Sequence, residues 1–418
     1  MYLTDDEKYI LDGKRGEAER MALSILVELG RLHGAQRLIP VSQVHIDATL
    51  YMVDAGIEFA EFMAGGNAKT AVPTSLNPSG VDLTHWQAYR VPPDLLEKNR
   101  RLERAYMRMG AAPTWTCAPY QQGLVPRFGE HIAWGESNAI AFANSVLGAR
   151  TNRIADLMDI CAAVAGKTPE FGLHLSEHRR ARVRIDCRDF SPDMTEDSAL
   201  YPLLGYTFGK MAGDRVAALT GLPPDVSVDA LKSFSAAAAS SGAVGLFHLP
   251  GITPEARNLE MCFHGKPPEQ VFDITADTLR NAAHGLWTLP TDAVDWIVTG
   301  CPHYSFAQCR HLARLMSDKK IHSSVVFWVF TSRMVYALLE QNGILAELNR
   351  AGIDVFTDGC PLQYPKTRWH FTAAVSDSAK FTHYCRSQTG LPAGLLSIGE
   401  CVETAVSGRI QRKDRSWR

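Results

Sequence analysis

Short apolar runs alternate with segments of helical periodicity along almost the whole chain, and this alternation excludes more folds than any other property of the sequence. Runs typical of buried strands occupy residues 37–46, 70–74, 181–186, 244–249, 296–299, 325–330, 354–357 and 371–375. The pattern predicts an α/β protein with mainly parallel sheets. Ligands of such proteins collect beyond the carboxyl ends of the strands, so site residues are expected immediately after these runs.

The length of the chain, its charge balance and its cysteines narrow further the class of protein to which it can belong. At roughly 150 residues per domain, the 418 residues predict two to three domains. The 43 basic and 45 acidic residues nearly balance and form no long basic run, which argues against a nucleic-acid partner. The sequence shows no signal peptide and no stretch approaching about 18 apolar residues, so we expect a cytoplasmic protein with no membrane partner. Nine scattered cysteines then predict reduced thiols.

Three of the nine cysteines stand where a strand-like run gives way to a loop. Residues 294–302 and 352–361 both end in Gly-Cys-Pro, which places Cys301 and Cys360 at two equivalent strand ends, and Cys117 lies in a similar Thr-Cys-Ala-Pro setting. Three thiolates from distant segments could hold an iron–sulfur cluster, or a single iron, with one coordination position open for substrate. The chain has no C-x-x-C or H-E-x-x-H motif, so three ordinary buried thiols remain the alternative.

Polar residues at other element ends each have two interpretations. The Gly-Glu-Ser-Asn sequence at 135–138 begins an Ala-rich helix, and it either caps that helix or presents the helix N-terminus to a carboxylate. Lys380, just after a strand, either pairs with an anionic substrate or is solvated. Asn77 in a Pro-flanked loop, and His45 with Asp47 at the end of the first strand, are either site residues or ordinary turn and strand-end residues.

Several stretches together resemble the large subunit of the aconitase X family, over nearly the whole chain. They lie at 114–120, 133–139, 142–153, 251–256 and 300–303, and the run from 133 to 153 is the most specific. The resemblance implies a hydro-lyase that dehydrates a small hydroxy acid at an iron centre. It also implies an aconitase-like large region of several α/β/α subdomains over residues 1–418, for which we expect approximate boundaries of 1–110, 111–288 and 289–418.

The family's motif positions assign roles to individual residues here. Cys117, Cys301 and Cys360 match the three metal-holding cysteines. The resemblance further implies catalytic roles for Glu136, Ser137 and Lys380. Its substrate-binding positions correspond to Asp47, Ala48, Asn77, Asn138, Ser376 and Ser378. Glu136 is then either a general base or a carboxylate that fixes a nitrogen of the substrate ring.

Two departures from ordinary aconitases shape the functional expectation. Without a C-x-x-C pair, a smaller cluster or a single iron becomes plausible in place of a four-iron cluster. We also expect the chain to lack the C-terminal swivel domain, and therefore expect the general base on a separate small subunit, in a heterodimer or a larger assembly. The resemblance favours dehydration of cis-3-hydroxy-L-proline to 1-pyrroline-2-carboxylate. The alternatives are a mevalonate 5-phosphate dehydratase large subunit, a non-catalytic binding protein of aconitase fold, and a thiol hydrolase using Cys301 and His303.

Overall fold

A computed structural model describes residues 1–187, 190–415 and 417 of the chain, without the side chains of 364–366. The predicted α/β class with mainly parallel sheets is confirmed, because three parallel sheets hold most of the strands in these ranges. A two-stranded antiparallel sheet accompanies them. Within the same ranges, no helix is both long enough and apolar enough to cross a membrane.

The first region contains a three-stranded parallel sheet and the helices around it. Its helices are α1 (Asp5–Leu11), α2 (Glu17–Leu32), α3 (Asp54–Gly65), α4 (Pro93–Met109), α5 (Ser137–Phe142) and α6 (Met158–Ala165). Its strands are β1 (Leu38–Pro40), β2 (Val44–Ile46), β3 (Thr74–Leu76), β4 (Ala133–Trp134) and β5 (Lys167–Pro169). The parallel sheet has the order β3-β2-β4, while β1 pairs with β5. Because its three strands are parallel, the residues that follow them emerge at one edge.

The second region contains a four-stranded parallel sheet with the order β8-β7-β6-β9. Its elements are β6 (Val183–Asp186), α7 (Pro192–Glu196), α8 (Leu200–Ala212), β7 (Ala217–Thr220), α9 (Val228–Ser241), β8 (Phe247–His248), α10 (Leu259–Cys262), β9 (Gln270–Asp273) and α11 (Ala276–Leu286). The Ala/Ser run at 236–241 lies in α9, in the helix packing that its composition predicts. Gly205 lets α8 approach α9 so closely that a Cβ there would lie 2.4 Å from the Phe234 carbonyl oxygen.

The third region contains a five-stranded parallel sheet with the order β12-β11-β10-β13-β14. Its elements are β10 (Trp296–Tyr304), α12 (Phe306–Leu315), β11 (Val326–Thr331), α13 (Arg333–Gln341), α14 (Ile344–Ala351), β12 (Ile353–Phe356), β13 (Ala374–Ser376), α15 (Ala379–Thr389), β14 (Ala393–Leu395) and α16 (Ile398–Ser407). Trp328 of β11 meets Tyr89 of the first region, with ring centroids 5.0 Å apart. This buried aromatic contact fixes the first and third regions against each other.

Proline explains two errors in the sequence prediction. The single strand predicted at 37–46 is wrong, because β1 ends at Pro40 and β2 joins a different sheet. The strand predicted at 70–74 is also wrong, since β3 begins only after Pro73. The amides of Thr70 and Ala71 instead donate to the carbonyls of Met109 and Ala163.

The strand predicted at 296–299 extends to Tyr304. The register with β11 shifts between Thr299 and Tyr304, so this strand is irregular where it carries Cys301. Cys360, by contrast, lies in a loop beyond the end of β12. The two Gly-Cys-Pro sequences therefore belong to strands of one sheet that are separated by β11, but their local structures differ.

Candidate active site

The carboxyl edge of the first parallel sheet meets that of the third. Ser79, just beyond β3, pairs with Gly359, just beyond β12, as an isolated parallel bridge. The Ser79 amide donates to the Asp358 carbonyl oxygen at 2.6 Å. The buried Asp82 carboxylate accepts a hydrogen bond from the Thr357 amide at 2.8 Å. Strand-end residues of two different sheets thereby face a common space.

Each strand of the first sheet delivers one polar residue to this space. Asp47 follows β2, Asn77 follows β3, and Glu136 comes two residues after β4. The Asn77 amide nitrogen donates to the Asp47 carboxylate and, at 3.0 Å, to Glu136 Oε2. His45 fixes the orientation of that amide, because its Nε2 lies 3.3 Å from Asn77 Oδ1 while its Nδ1 lies 2.8 Å from the Ser75 hydroxyl. His45 therefore supports the site from within the sheet.

Glu136 caps the helix that the sequence places after it. Its Oε1 accepts hydrogen bonds from the Asn138 amide at 3.2 Å and from the Asn138 side chain at 2.6 Å. The Ser137 hydroxyl lies 3.4 Å from the same oxygen. The 135–138 segment therefore caps α5, as one of the two interpretations predicts. The carboxylate at the N-terminus of this helix is that of Glu136, whereas the other interpretation places a substrate carboxylate there.

Lys380 is paired and largely buried. Its Nζ donates to Glu136 Oε1 at 2.7 Å, and the two side chains are 12% and 10% exposed. Burial by itself would raise the pKa of Glu136, but the charge and hydrogen bond of Lys380 outweigh it and lower that pKa to about 2. Burial would likewise lower the pKa of Lys380, yet the charge of Glu136 raises it. The pair is therefore ionised at any physiological pH.

A second carboxyl group beside this pair has a strongly raised pKa. Burial, followed by the negative charge of Glu136, raises the pKa of Asp47 well above its usual range. The main chain around Asp47 is held by Asp159, whose Oδ2 accepts from the amides of Asp47 at 2.6 Å and Ala48 at 3.4 Å. Burial raises the pKa of Asp159 itself to about 7. Ala48 contributes main-chain atoms, and its carbonyl accepts the Tyr106 hydroxyl.

Sequence reasoning missed Asp159. An aspartate in the first turn of α6 is an ordinary feature of helix starts, and nothing in its neighbourhood indicates that it binds amides more than a hundred residues earlier. Gly135 provides the space for this contact, since a Cβ on it would lie 2.6 Å from Asp159 Oδ2 and 2.7 Å from Asp47 Cβ. A Gly directly after a strand and before a site residue was the available signal.

The two serines predicted to bind substrate make local contacts. Ser378 caps α15, where its hydroxyl accepts from the Phe381 amide at 3.0 Å and donates to the Cys301 carbonyl. The Ser376 hydroxyl accepts from the Ser378 amide at 3.1 Å. Both side chains are buried. They therefore shape the turn that carries Lys380 and attach it to the Cys301 segment.

The three predicted metal-binding cysteines converge on this ion pair. The charges of Lys380 and Glu136 both act on the pKa of each of these three thiols. Burial is the largest influence, and it raises the pKa of Cys117 to about 12, that of Cys360 to about 11, and that of Cys301 well above its usual range. Without a cation the thiols are protonated.

The donor chemistry of this thiol set fits an iron group. Thiolates are soft ligands that prefer iron–sulfur clusters and soft metal ions. The His303 amide donates a hydrogen bond to Cys117 Sγ at 3.3 Å, and amide hydrogen bonds to cysteine sulfur are common in iron–sulfur sites. In the residues that the structure describes, no three His, Cys, Asp or Glu side chains are so grouped that they could hold a metal ion as they stand. A metal would thus have to deprotonate the thiols and draw them in.

Known proteins share both this sequence and this fold. Three family models match: "Aconitase X first domain" over residues 1–177, "Aconitase X second domain" over 179–284 and "Aconitase X third domain" over 294–407. A cis-3-hydroxy-L-proline dehydratase of Pseudomonas aeruginosa is 40% identical over 420 residues, which cover 98% of this chain and 71% of that protein. The chain belongs to the aconitase X family.

Other aconitase X proteins extend the comparison. A phosphomevalonate dehydratase large subunit of Methanosarcina mazei is 34% identical over 99% of this chain and 99% of its own. The crystal structure of Thermococcus kodakaraensis aconitase X, in its holo-form, matches with a TM-score of 0.87 and 33% identity, over 97% of this chain and 100% of that one. The resemblance to aconitase X and the hydro-lyase class are confirmed.

Proposed function

We propose that this chain is the large subunit of an iron-dependent hydro-lyase that dehydrates cis-3-hydroxy-L-proline to 1-pyrroline-2-carboxylate. The observation that carries the proposal is that the thiols of Cys117 and Cys301, both buried, and of Cys360, partly buried, all lie near enough to the Glu136–Lys380 pair for its charges to act on their pKa values. The identity of 40% to the Pseudomonas aeruginosa cis-3-hydroxy-L-proline dehydratase supports the substrate. The nine free cysteines support a reducing compartment such as the cytoplasm.

We assign the metal to Cys117, Cys301 and Cys360, as a cluster or a single iron. When bound, such a group supplies Lewis-acid assistance to the departing hydroxyl. We assign Glu136 and Asp47 of this chain to the ring nitrogen and the carboxylate of the substrate. Site burial excludes bulk water around these groups.

Glu136 suits recognition of a cation better than abstraction of a proton. A general base works best when its pKa lies near the working pH, and Lys380 with its neighbours holds the pKa of Glu136 at about 2. Such a carboxylate stays ionised and pairs with the protonated ring nitrogen of a hydroxyproline. Burial and the charge of Glu136 raise the pKa of Asp47 well above its usual range, which favours the protonated form, and we assign this carboxyl group to the substrate carboxylate as a hydrogen-bond donor. We place the general base on the small swivel-domain subunit, in accordance with relatives that are named large subunits.

Mevalonate 5-phosphate is the second candidate substrate, and one observation favours it: the Methanosarcina mazei phosphomevalonate dehydratase large subunit and this chain cover each other almost completely. The loop after β3 argues against a phosphate there. Its Ser79 amide already donates to the Asp358 carbonyl, and its Gly80 amide donates to Asn99 Oδ1 at 3.0 Å. Amides that are occupied in this way form no anion-binding nest.

The decisive experiment is anaerobic co-expression of the chain with a candidate small subunit, followed by iron analysis and assays on both substrates. We expect iron in the wild type, turnover of cis-3-hydroxy-L-proline, and loss of both in Cys117→Ser. Cys161→Ser is the matched control, because Cys161 is also buried but lies within α6. If only mevalonate 5-phosphate is turned over, that compound is the substrate and the hydroxyproline assignment is wrong. A wild type without iron or activity on either would contradict it.

A further inference from the structure

His303 contacts all three cysteine-bearing segments. It lies two residues after Cys301 in β10, and its main-chain amide donates to Cys117 Sγ at 3.3 Å. Its ring Nε2 lies 3.0 Å from the carbonyl oxygen of Gly359, the residue before Cys360. A carbonyl can only accept, so Nε2 carries the proton. His303 as a whole is 1% exposed, and a hydrogen bond at such a site is costly to lose.

The segment around His303 is itself anchored. The ammonium group of Lys232 in α9 is 1% exposed and donates to the His303 carbonyl oxygen at 3.0 Å. Lys232 also donates to Gln308 and pairs with Asp229 at 3.1 Å. His303 is thus fixed from the second region, while its ring reaches the loop that carries Cys360.

We propose that His303 is a positioning residue that holds the Cys360 loop in place against Cys117 and Cys301. The role rests on the proposed function in so far as these cysteines bind iron. Its direct consequence concerns the loop alone: without the ring N–H, the Gly359 carbonyl loses its partner and the Cys360 segment opens more often. Local opening of this kind exposes a thiol to reagents without global unfolding.

The test is native-state alkylation of the iron-free protein with iodoacetamide, read at each cysteine by mass spectrometry. His303→Met removes the N–H at similar size, whereas His303→Gln places an amide N–H close to the position of Nε2. We expect Cys360 to be alkylated about ten-fold faster in His303→Met, as the loss of one buried hydrogen bond implies, and within about two-fold of wild type in His303→Gln. Cys161 should stay unchanged in both variants.

His248 supplies a matched control. It is 2% exposed, its Nε2 lies 2.7 Å from the Arg179 carbonyl oxygen, and it sits in β8, away from the cysteines of the site. His248→Met should lower the melting temperature comparably yet leave Cys360 alkylation at the wild-type rate. Equal acceleration in His248→Met, or none in His303→Met, would overturn the proposal.

Iron binding separates this proposal from the functional one. After anaerobic reconstitution, we expect iron per chain to fall in His303→Met and to recover in His303→Gln. If wild-type protein takes up no iron while alkylation follows the expected order, the positioning role stands and the iron assignment fails. If iron binds but Cys360 is alkylated at the same rate in wild type and in both His303 variants, the positioning role is refuted and the iron assignment stands.

Discussion

Removing the positive charge of Lys380 should destabilise the protein strongly, and more at neutral than at acidic pH. Over the 2.7 Å between its Nζ and Glu136 Oε1, the attraction is about 6 kcal/mol at an effective dielectric constant near 20. Desolvation offsets part of it. The fall in the pKa of Glu136 from 4.5 to about 2 corresponds to roughly 3 kcal/mol. We therefore expect Lys380→Met to lower the free energy of unfolding by about 3 kcal/mol at pH 7.5.

The pH dependence follows from the sign of the change. In wild type the pKa of Glu136 is depressed, so its stabilisation is complete above pH 4.5 and is lost as the pH falls towards about 2. In Lys380→Met only burial and neighbouring groups remain, and the pKa of Glu136 rises. The variant then loses stability as the pH rises above the pKa that Glu136 has in the unfolded chain. The difference between the two proteins should be larger at pH 7.5 than at pH 5.

Urea unfolding of the metal-free protein, followed by tryptophan fluorescence, measures this difference. The double variant Glu136→Gln/Lys380→Met should recover much of the loss, since no unpaired charge is left buried. Arg101→Met is the control, because Arg101 and Glu61 form an exposed pair at 2.6 Å whose contribution is small. Equal effects of Lys380→Met and Arg101→Met, or a difference that does not change with pH, would refute the reasoning.

Three further predictions concern other buried groups. Gly135→Ala should destabilise the protein by about 1–3 kcal/mol, because the added methyl group would overpack against Asp159. Gly285→Ala is the control, since its methyl group would enter open space within a helix and should stabilise the protein slightly. Thermal unfolding of both variants measures the two effects. The pKa of Asp159 is raised from 3.8 to about 7, so wild type should lose melting temperature relative to Asp159→Asn as the pH rises from about 4 to about 7, and a pH-independent difference would contradict this. Arg179→Lys should not rescue the loss in Arg179→Met, measured by urea unfolding, because the buried guanidinium donates to a carboxylate, an amide oxygen and three carbonyls at once.

Residues at strand ends were accessible to sequence reasoning for a physical reason. A strand and the polar residue after it are local features, and in a parallel sheet all carboxyl ends lie at the same edge. Asp47, Asn77 and Glu136 therefore meet in space although the sequence says nothing of the distances between them. The same logic brought Cys301 and Cys360 to one edge of the third sheet.

Strands without a local signal escaped prediction. β7 consists of Ala-Ala-Leu-Thr, which shows neither alternation nor β-branched enrichment, and β9 lies at the sheet edge with mostly exposed side chains. β14 contains Gly394, packed against Trp287. These segments become strands because neighbouring strands offer them hydrogen bonds, which is a tertiary effect that outweighs propensity.

Partners of the site residues escaped prediction because they come from distant parts of the chain. Lys380 meets a glutamate 244 positions earlier, and Asp159 holds amides more than a hundred residues away. Both contacts bury a charged or acidic side chain, which costs free energy of folding. A fold that needed only stability would put apolar side chains there. The arrangement keeps Glu136 ionised and Lys380 charged at neutral pH, and beside them it raises the pKa of Asp47 well above its usual range. Such a combination of buried charges is typical of a site that binds a charged ligand.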